Sequence, residues 1–346
     1  MPTIRDISKI AKVSPGTVSR SLNPAQQSSV SKETRLKVQK IARKMGYQLP
    51  VKKNKETQVQ KLNLLHFALI NTHTIEEEAK DEYWRLVRLG IYKEAQKKNV
   101  VIDQVINMHD GVDPRKIEPY DAVLIIGTPS IESIQQLKRV NPNIIVVDGG
   151  SHFKNLVDTI STNFSELTKE VLDSLSDFTD KKIACISGAR IELQLDGSSR
   201  DNVEDPRVAA YKEWMQAHQK DQIFKKVDWS NEAAMKATDQ LLNQEGSKLG
   251  AIVVTSDSLL VIGVMKSLVK HHLEVGKDVF LVSFDDVDFA PLLTPSLSTV
   301  WIPKAELGAA AVIQAKALSE NTDKTWTTRV TLPGKVKYRD TFNPGY

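Results

Sequence analysis

From residue 62 onward, the chain alternates short, almost wholly apolar segments with segments whose apolar residues recur at helical spacing. The apolar segments predict strands at 62–70, 100–106, 122–126, 144–148, 183–187, 251–255 and 279–284. The others predict helices near 83–98, 131–140, 164–176, 207–218, 231–244 and 258–270. Near-continuous apolar strands that alternate with helices are typical of buried parallel sheets with helices on both faces. About 285 residues of this pattern exceed one sheet, so we expect two doubly wound α/β subdomains.

The first 48 residues have a different pattern, which predicts three short helices. Thr3 and Asp6 have the spacing of a capping box, and Ile4, Ile7, Ile10 and Ala11 share one helical face. Ser14 can cap a second helix with Pro15 at its first position, and Ser31 can cap a third, with Leu36, Ile41 and Met45 among its apolar positions. Short helices joined by a tight turn, with a polar second helix, indicate a small all-α helix-turn-helix head at residues 1–48.

Charge separates the head from the rest of the chain. Residues 1–61 contain 14 Lys and Arg against three Asp and Glu, a net charge of +11. Because the whole chain carries +4, residues 62–346 sum to −7. A basic head beside a mildly acidic body is expected where a small domain neutralises nucleic-acid phosphates. The alternative is a solvated basic face without a partner.

Residues 49–61 are polar and rich in lysine, and they predict a basic linker between the head and a core at 62–346.

The N-terminus has no apolar export signal and no stretch approaches membrane-spanning length, so we expect a cytoplasmic protein. The single cysteine, Cys185, lies in an apolar run and is expected to be a buried strand residue. Neither nucleotide-binding nor catalytic motifs occur, and the adjacent His271 and His272 would project too far apart to share a metal. We therefore expect no enzyme activity, no cofactor and no metal.

Several head segments resemble the lactose/galactose repressor (LacI/GalR) family: Thr3-Ile4-Arg5-Asp6-Ile7, residues 13–20, residues 30–35 and Gly46-Tyr47. The resemblance continues along nearly the whole chain and is strongest to regulators of galactoside metabolism. It implies a periplasmic-binding-protein-like core whose chain crosses between two subdomains near 160, 290 and 322. Subdomain one would hold 62–160 and about 291–322, and subdomain two 161–290 and about 323–346. The effector would lie in the cleft between them, beyond the carboxyl ends of the strands.

For DNA, the resemblance and the helix pattern together assign ten candidate contacts: Thr3, Ser14, Pro15, Gly16, Thr17, Ser19, Arg20, Asn23, Ser31 and Thr34. Arg20 is the candidate for base contact, because a bidentate Arg–guanine pair is the commonest specific contact. The polar residues resemble phosphate-contacting positions, although Ser14 and Ser31 also serve as caps. Pro15-Gly16 stands where relatives carry two base-reading side chains, so discrimination would depend on Arg20, Ser19 and DNA shape. The linker contains no leucine, which makes a leucine wedge in the minor groove doubtful.

For the effector, eight candidates lie at or just beyond strand ends: Asp81, Tyr83, Trp84, Asp148, Arg207, Trp229, Ser256 and Asp285. A carboxylate such as Asp148 or Asp285 can accept bonds from a pair of sugar hydroxyls. Arg207 resembles the family's cleft arginine; its alternative is a surface ion pair with Asp201, Glu204 or Asp205. Trp229 resembles a residue of lactose-binding relatives that lies under the sugar's apolar face; its alternative is an ordinary core tryptophan. Asp81, Tyr83 and Trp84 could instead form a buried first helical turn, and Ser256 stands where many relatives carry Asn.

These observations favour a repressor that is released from a near-palindromic operator by a sugar, with galactose or a galactoside preferred. Paired half-sites imply a homodimer. Residues 336–341 resemble the family's closing strand and no leucine heptad follows them, so a tetramer is not expected. One alternative keeps the family but has a phosphorylated metabolite or a purine as co-repressor. Another is a sugar-binding protein without a DNA function, which the basic head argues against.

Overall fold

The computed structural model describes residues 2–23, 30–45, 47, 64–149, 152–153, 155–200, 203–321 and 323–345. The chain forms two compact units, Met1–Leu62 and Asn63–Tyr346. The predicted linker at 49–61 lies outside the described residues, as does Gly46. We call the described part of the first unit the head and that of the second unit the core.

The head contains the three predicted helices, α1 Ile4–Ala11, α2 Pro15–Leu22 and α3 Lys32–Lys44. They enclose a small apolar centre made by Ile7, Ala11, Val18, Val38 and Ala42. Two predicted apolar positions, Ile10 and Leu36, are instead 56% exposed. Each short helix turns only a narrow face toward the centre, and these two side chains lie off that face.

In the core the helices are α4 Ile75–Lys80, α5 Glu82–Lys98, α6 Ile131–Val140, α7 Phe164–Phe178, α8 Pro206–Ala217, α9 Asn231–Glu245, α10 Ile262–Lys270 and α11 Lys304–Glu320. The strands are β1 Leu65–Asn71, β2 Val100–Asn107, β3 Ala122–Ile126, β4 Ile144–Val147, β5 Asp158–Thr162, β6 Lys182–Gly188, β7 Glu192–Leu193, β8 Ser199–Arg200, β9 Ile223–Val227, β10 Leu249–Val254, β11 Phe280–Asp285, β12 Ser298–Trp301, β13 Arg329–Leu332 and β14 Lys335–Lys337.

Two six-stranded sheets organise the core. The first has the order β13-β5-β4-β3-β1-β2, and the second has the order β14-β12-β11-β10-β6-β9. Every pair is parallel except β12 with β14. The central strands are buried along their length, and Cys185 of β6 is 1% exposed beside Val253 of β10. The predicted fold class, a helical head with a core of two doubly wound α/β subdomains, is confirmed.

The chain crosses between the sheets after β5, after β12 and after β13. The second and third crossings lie later than the expected positions near 290 and 322, because β12 adds one more parallel strand to the second sheet and β13 returns to the first. In the part of the chain between the second and third crossings, α11 packs closely against α5. A Cβ on Gly308 would lie 2.0 Å from the Val87 carbonyl oxygen, so only glycine allows this approach.

Candidate functional site

A cavity of about 380 Å³ lies between the two subdomains, where the carboxyl ends of the parallel strands face each other. Its lining comes from both subdomains, and it includes all eight predicted effector residues: Asp81, Tyr83, Trp84, Asp148, Arg207, Trp229, Ser256 and Asp285. We call it the cleft cavity. The structure thus brings together side chains that are up to about 200 positions apart in the sequence, and their role as effector ligands stays a prediction.

Subdomain one supplies an aromatic wall beside a carboxylate. Trp84 stacks on His73 with ring centroids 4.0 Å apart, and its edge meets Tyr83 at 4.7 Å. Asp81 caps α5 by accepting a 3.0 Å bond from the Tyr83 amide. The Tyr83 hydroxyl is buried and makes no hydrogen bond within the described residues. Because burial raises the pKa of Tyr83 well above its usual value, this hydroxyl stays protonated and can bond a ligand.

Arg207 of α8 is held rigidly in the cavity wall. Its Nε donates to Asp205 Oδ1 at 2.8 Å, a second nitrogen donates to Oδ2 at 2.7 Å, and a third donates to the Thr255 carbonyl at 2.6 Å. The guanidinium also lies over the Phe164 ring, 4.8 Å from its centroid. Although burial opposes ionisation of both groups, their mutual attraction lowers the pKa of Asp205 to about 2 and raises that of Arg207 above its usual value.

The alternative role predicted for Arg207 was a surface ion pair, with Asp205 among the three possible partners. The structure contains the pair with Asp205, but it is buried: the two side chains are 13% and 6% exposed. Two of the five guanidinium N–H groups remain for a ligand within the described structure. Asp205 therefore orients Arg207 toward the cavity.

Trp229 follows β9 and lies flat across the end of β6. Its indole nitrogen donates to the Ala189 carbonyl at 2.8 Å. An added Cβ on Gly188 would lie 2.1 Å from the indole ring, so the ring rests directly on the glycine backbone. Trp229 is 37% exposed and lines the cleft cavity, unlike an ordinary core tryptophan. One face of a rigid indole is thus available to a ligand.

Buried carboxylic acids occupy the floor of the cavity. Asp148 follows β4 with a left-handed backbone (φ 67°), and Asp285 ends β11 with φ 108°. Burial raises the pKa of Asp148, which Arg190 and Arg207 oppose. It also raises the pKa of Asp285, and burial together with the Asp285 charge raises that of Asp81 to about 7. These groups are suited to neutral, hydroxyl-bearing ligands, to which they can donate or from which they can accept.

Several lining residues were not predicted from the sequence, and the most prominent are Arg190, His73 and Phe164. Arg190 and His73 come two residues after β6 and β1, so the strand-end rule that found Asp148 could have found them. Phe164 opens α7, and nothing in its local sequence distinguishes it from a core residue. Within the described chain, no group of three or more His, Cys, Asp or Glu side chains is arranged so that it could hold a metal ion.

In the head, the predicted caps are confirmed. Thr3 and Asp6 form a capping box, Ser14 Oγ accepts from the Thr17 amide at 3.1 Å, and Ser31 Oγ accepts from the Thr34 amide at 3.3 Å. Ser19 and Arg20 are exposed on α2 along with Pro15 and Gly16, and the Arg20 Nε donates to the Gly16 carbonyl at 3.3 Å. Asn23 ends this helix as its C-cap residue. DNA contact by these side chains stays a prediction.

The helices of the described chain are all too short or too polar to cross a membrane.

A helix-turn-helix head in the same chain as a two-subdomain core with a ligand-sized cleft defines a class: DNA-binding regulators controlled by a small molecule. The comparisons with known proteins agree. Residues 3–49 match the model of the bacterial regulatory proteins of the lacI family, and residues 180–342 match that of the periplasmic binding protein-like domain.

Similar proteins span almost the whole chain. The HTH-type transcriptional repressor MelR of Bacillus subtilis (strain 168) is 29% identical, covering 96% of this chain and 95% of its own. The HTH-type transcriptional regulator GalR of Streptococcus thermophilus is 27% identical, covering 97% and 100%. The lac repressor dimer bound to operator and the anti-inducer ONPF has the same fold, with a TM-score of 0.66 and 20% identity over 99% of both chains. The chain has the helix-turn-helix domain of the lacI family and a periplasmic binding protein-like domain, and its relatives along nearly the whole length are LacI/GalR-family transcriptional regulators.

Proposed function

We propose that galactose or a galactoside is the effector of this sugar-responsive transcriptional repressor, and that its binding in the cleft cavity releases a near-palindromic operator. The protein would act in the cytoplasm as a homodimer, since paired half-sites require a two-fold axis. The observation that carries the proposal is the flat, partly exposed indole of Trp229 in a cavity lined with carboxylates and a guanidinium.

The cavity has the two kinds of surface that a pyranose needs. Galactose has a patch of C–H groups on one face, and the indole of Trp229 can cover that patch at little entropic cost. Hydroxyls around the ring can bond Asp148, Asp285 and the two remaining N–H groups of Arg207. The unpartnered hydroxyl of Tyr83 adds a further donor or acceptor. A volume of about 380 Å³ is within the range of small-molecule sites.

Cavity charge argues against the co-repressor alternative. Six carboxylic acids line the cavity against three basic side chains: Glu77, Asp81, Asp148, Asp205, Asp228 and Asp285 against Lys80, Arg190 and Arg207. Asp205 already engages Arg207. A phosphorylated metabolite would place its charge beside these acids, and every one that is ionised would repel it at low dielectric. A neutral sugar avoids this cost.

Relatives support a sugar. Two similar proteins bear the name GalR, from Streptococcus thermophilus and Lacticaseibacillus casei. A LacI family transcriptional regulator from Arthrobacter sp. FB24 was solved in complex with lactose, with a TM-score of 0.64, 19% identity and coverage of 81% of this chain and 100% of its own. This structure shares the fold with our chain, and its lactose, itself a galactoside, supports the proposal.

On the DNA side, we propose that Arg20 makes the specific base contact and that Ser19 and the capping residues set the register on the phosphates. Gly16 carries no side chain, and Pro15 has no hydrogen-bonding group. Operator choice would then depend on DNA shape more than on direct contacts at the start of α2.

The test is a titration of the protein bound to labelled DNA from upstream of its own gene, followed by fluorescence anisotropy. Galactose or lactose should release the DNA from the wild type, whereas Trp229→Ala should bind DNA normally and fail to respond. Trp326→Ala is the matched control, because Trp326 is 63% exposed and lies outside the cavity. If galactosides left the complex intact while a phosphorylated metabolite stabilised it, the proposal would be wrong.

A further inference from the structure

Residues 190–200 form a strap between the two subdomains. The segment leaves subdomain two at the end of β6, contains the short hairpin strands β7 and β8, and is followed by α8 back in subdomain two. Between these points it is hydrogen-bonded to subdomain one. The chain therefore reaches across the cleft at one more place than the three crossings between the sheets.

Three backbone hydrogen bonds attach the strap to subdomain one. The Leu193 amide donates to the Thr128 carbonyl at 3.0 Å, and the Ser130 amide donates to the Leu193 carbonyl at 2.9 Å. The Val112 amide donates to the Leu195 carbonyl at 2.7 Å. These bonds pair the strap with the loop after β3 and with the segment after β2.

Side chains strengthen the attachment. Leu193 is 1% exposed and belongs to the apolar core of subdomain one, against which Leu195 also packs. His152 Nε2 lies 2.8 Å from Glu192 Oε1, and Ser130 Oγ donates to Gln194 Oε1 at 2.9 Å. Buried apolar anchors together with these side-chain hydrogen bonds make this a specific contact rather than a loose loop.

At the start of the strap, Arg190 connects it to Asp148, one of the candidate effector-binding residues. Its Nε donates to Thr128 Oγ1 at 3.2 Å, and a terminal nitrogen donates to the Asp148 carbonyl at 2.9 Å. The same nitrogen lies 3.8 Å from Asp148 Oδ2, and both side chains are 14% exposed. Asp148 has a left-handed backbone, which is unfavourable for a residue with a side chain unless its surroundings hold it.

The residue before Arg190 reaches the other wall of the cavity. The Ala189 carbonyl accepts the hydrogen bond of the Trp229 indole. Two neighbouring residues, Ala189 and Arg190, thus contact the indole of Trp229 in subdomain two and the backbone carbonyl of Asp148 in subdomain one.

We propose that Arg190 is a positioning residue for the effector site: carried across the cleft by the strap, it holds Asp148 in its ligand-facing position. The inference deepens the function proposed above and rests on it, because it assigns to Asp148 the contact with the sugar. Effector affinity then depends on Arg190 even though Arg190 need not touch the sugar.

The experiment measures galactose affinity by calorimetry on the full-length protein for wild type, Arg190→Met, Asp148→Asn and the double variant. We expect each single substitution to weaken binding by about tenfold. Arg190→Met removes the charge-assisted hydrogen bond to the Asp148 backbone carbonyl, and Asp148→Asn removes the carboxylate charge that would contact the sugar. The double variant should bind galactose no more than about twofold more weakly than the single variant with the lower affinity, because Arg190 acts on the sugar only through Asp148. Arg200→Met is the matched control: Arg200 is an exposed arginine of the same strap, outside the cavity, and its substitution should change nothing.

Additive effects of the two substitutions, or binding by Arg190→Met within about twofold of wild type, would overturn the proposal. Hydrogen exchange at the Leu193, Ser130 and Val112 amides separates its failure from that of the proposed function. If the wild type bound no galactoside, the galactose assignment would fail. The strap would then be judged by exchange: faster exchange in Arg190→Met, but not in Arg200→Met, would support it, and unchanged exchange would overturn it.

Discussion

The orientation of the Trp229 indole depends on Gly188, which has no side chain and so leaves room for the ring. The indole lies on Gly188 and is bonded to Ala189, so both its face and its edge are held by the end of β6. Pre-organised aromatic surface binds a ligand without loss of rotamer freedom.

We therefore expect Gly188→Ala to weaken galactose binding by about tenfold, since overpacking of this kind costs about 1–3 kcal/mol and here displaces the ligand platform. Calorimetry on the purified variant measures the effect. The control is Gly16→Ala in the head, where an added Cβ has no neighbour closer than 3.9 Å. Unchanged affinity in Gly188→Ala would show that the indole is not a ligand surface.

A second prediction concerns the pKa of Asp81 and the pH dependence of the protein's stability. Burial and the charge of Asp285 raise its pKa to about 7, although Arg207 and Lys304 oppose the shift. The folded protein then binds a proton that the unfolded chain has released, so stability falls as the pH rises from about 4 to 7. Asp81→Asn keeps a capping oxygen for α5 but cannot titrate. Its melting temperature should decline less than that of wild type between pH 5 and 7.5; parallel curves would contradict the raised pKa.

Among the elements, α2 is the one whose beginning was most fully specified by local sequence. Ser14 satisfies the Thr17 amide, Pro15 takes the first helical position, and Val18 is buried as its spacing predicts. The same polar groups are the candidate phosphate contacts. The cap and the DNA-facing surface therefore share residues, and mutations there have to be separated by measuring stability and binding independently.

We expect Ser14→Ala to destabilise α2 by about 1 kcal/mol, the usual cost of removing a capping oxygen. Hydrogen exchange of the Thr17 amide in the full-length protein measures this without DNA. Ser19→Ala is the matched control, because Ser19 is exposed on the same helix and does not cap it. Equal exchange in both variants would mean that the cap contributes little.

Over the whole molecule, the two units carry opposite charge: residues 1–61 sum to +11 and the rest to −7. This division lets the head neutralise phosphates while the core adds no attraction for DNA. The logarithm of the operator binding constant should therefore fall linearly with the logarithm of the salt concentration.

Arg20→Ala should reduce operator affinity by about 1–3 kcal/mol and relax base preference, while leaving the galactose affinity of the free protein unchanged. Anisotropy titrations between 50 and 300 mM salt, roughly the range over which counterion release is resolved, measure both the loss and the slope. Lys236→Ala, an exposed lysine of the core, is the control. Salt-independent binding would contradict phosphate neutralisation by the head.

Much of the fold could be predicted from the sequence where the signal is local. Central strands such as β3 and β10 are continuous apolar runs, and they were found with nearly correct bounds. The strands β9 and β13 were missed because they lie at sheet edges, where part of each strand is exposed and the apolar run is broken. Strand-end logic located Asp148 and Asp285 in the cleft, since parallel strands direct their carboxyl ends to one edge.

The helix caps, the buried strands, the charge division and the family resemblance can be predicted from the amino-acid sequence, because each depends on neighbouring residues or on a short period. Three features became visible in the folded chain alone: Asp205 is the buried partner of Arg207, β12 stays in the second sheet, and the strap returns to subdomain one through Leu193. Contacts between residues far apart in the chain produce no periodic pattern in the sequence, so they cannot be predicted from it. Their partners are selected by packing and by the need to satisfy buried polar groups.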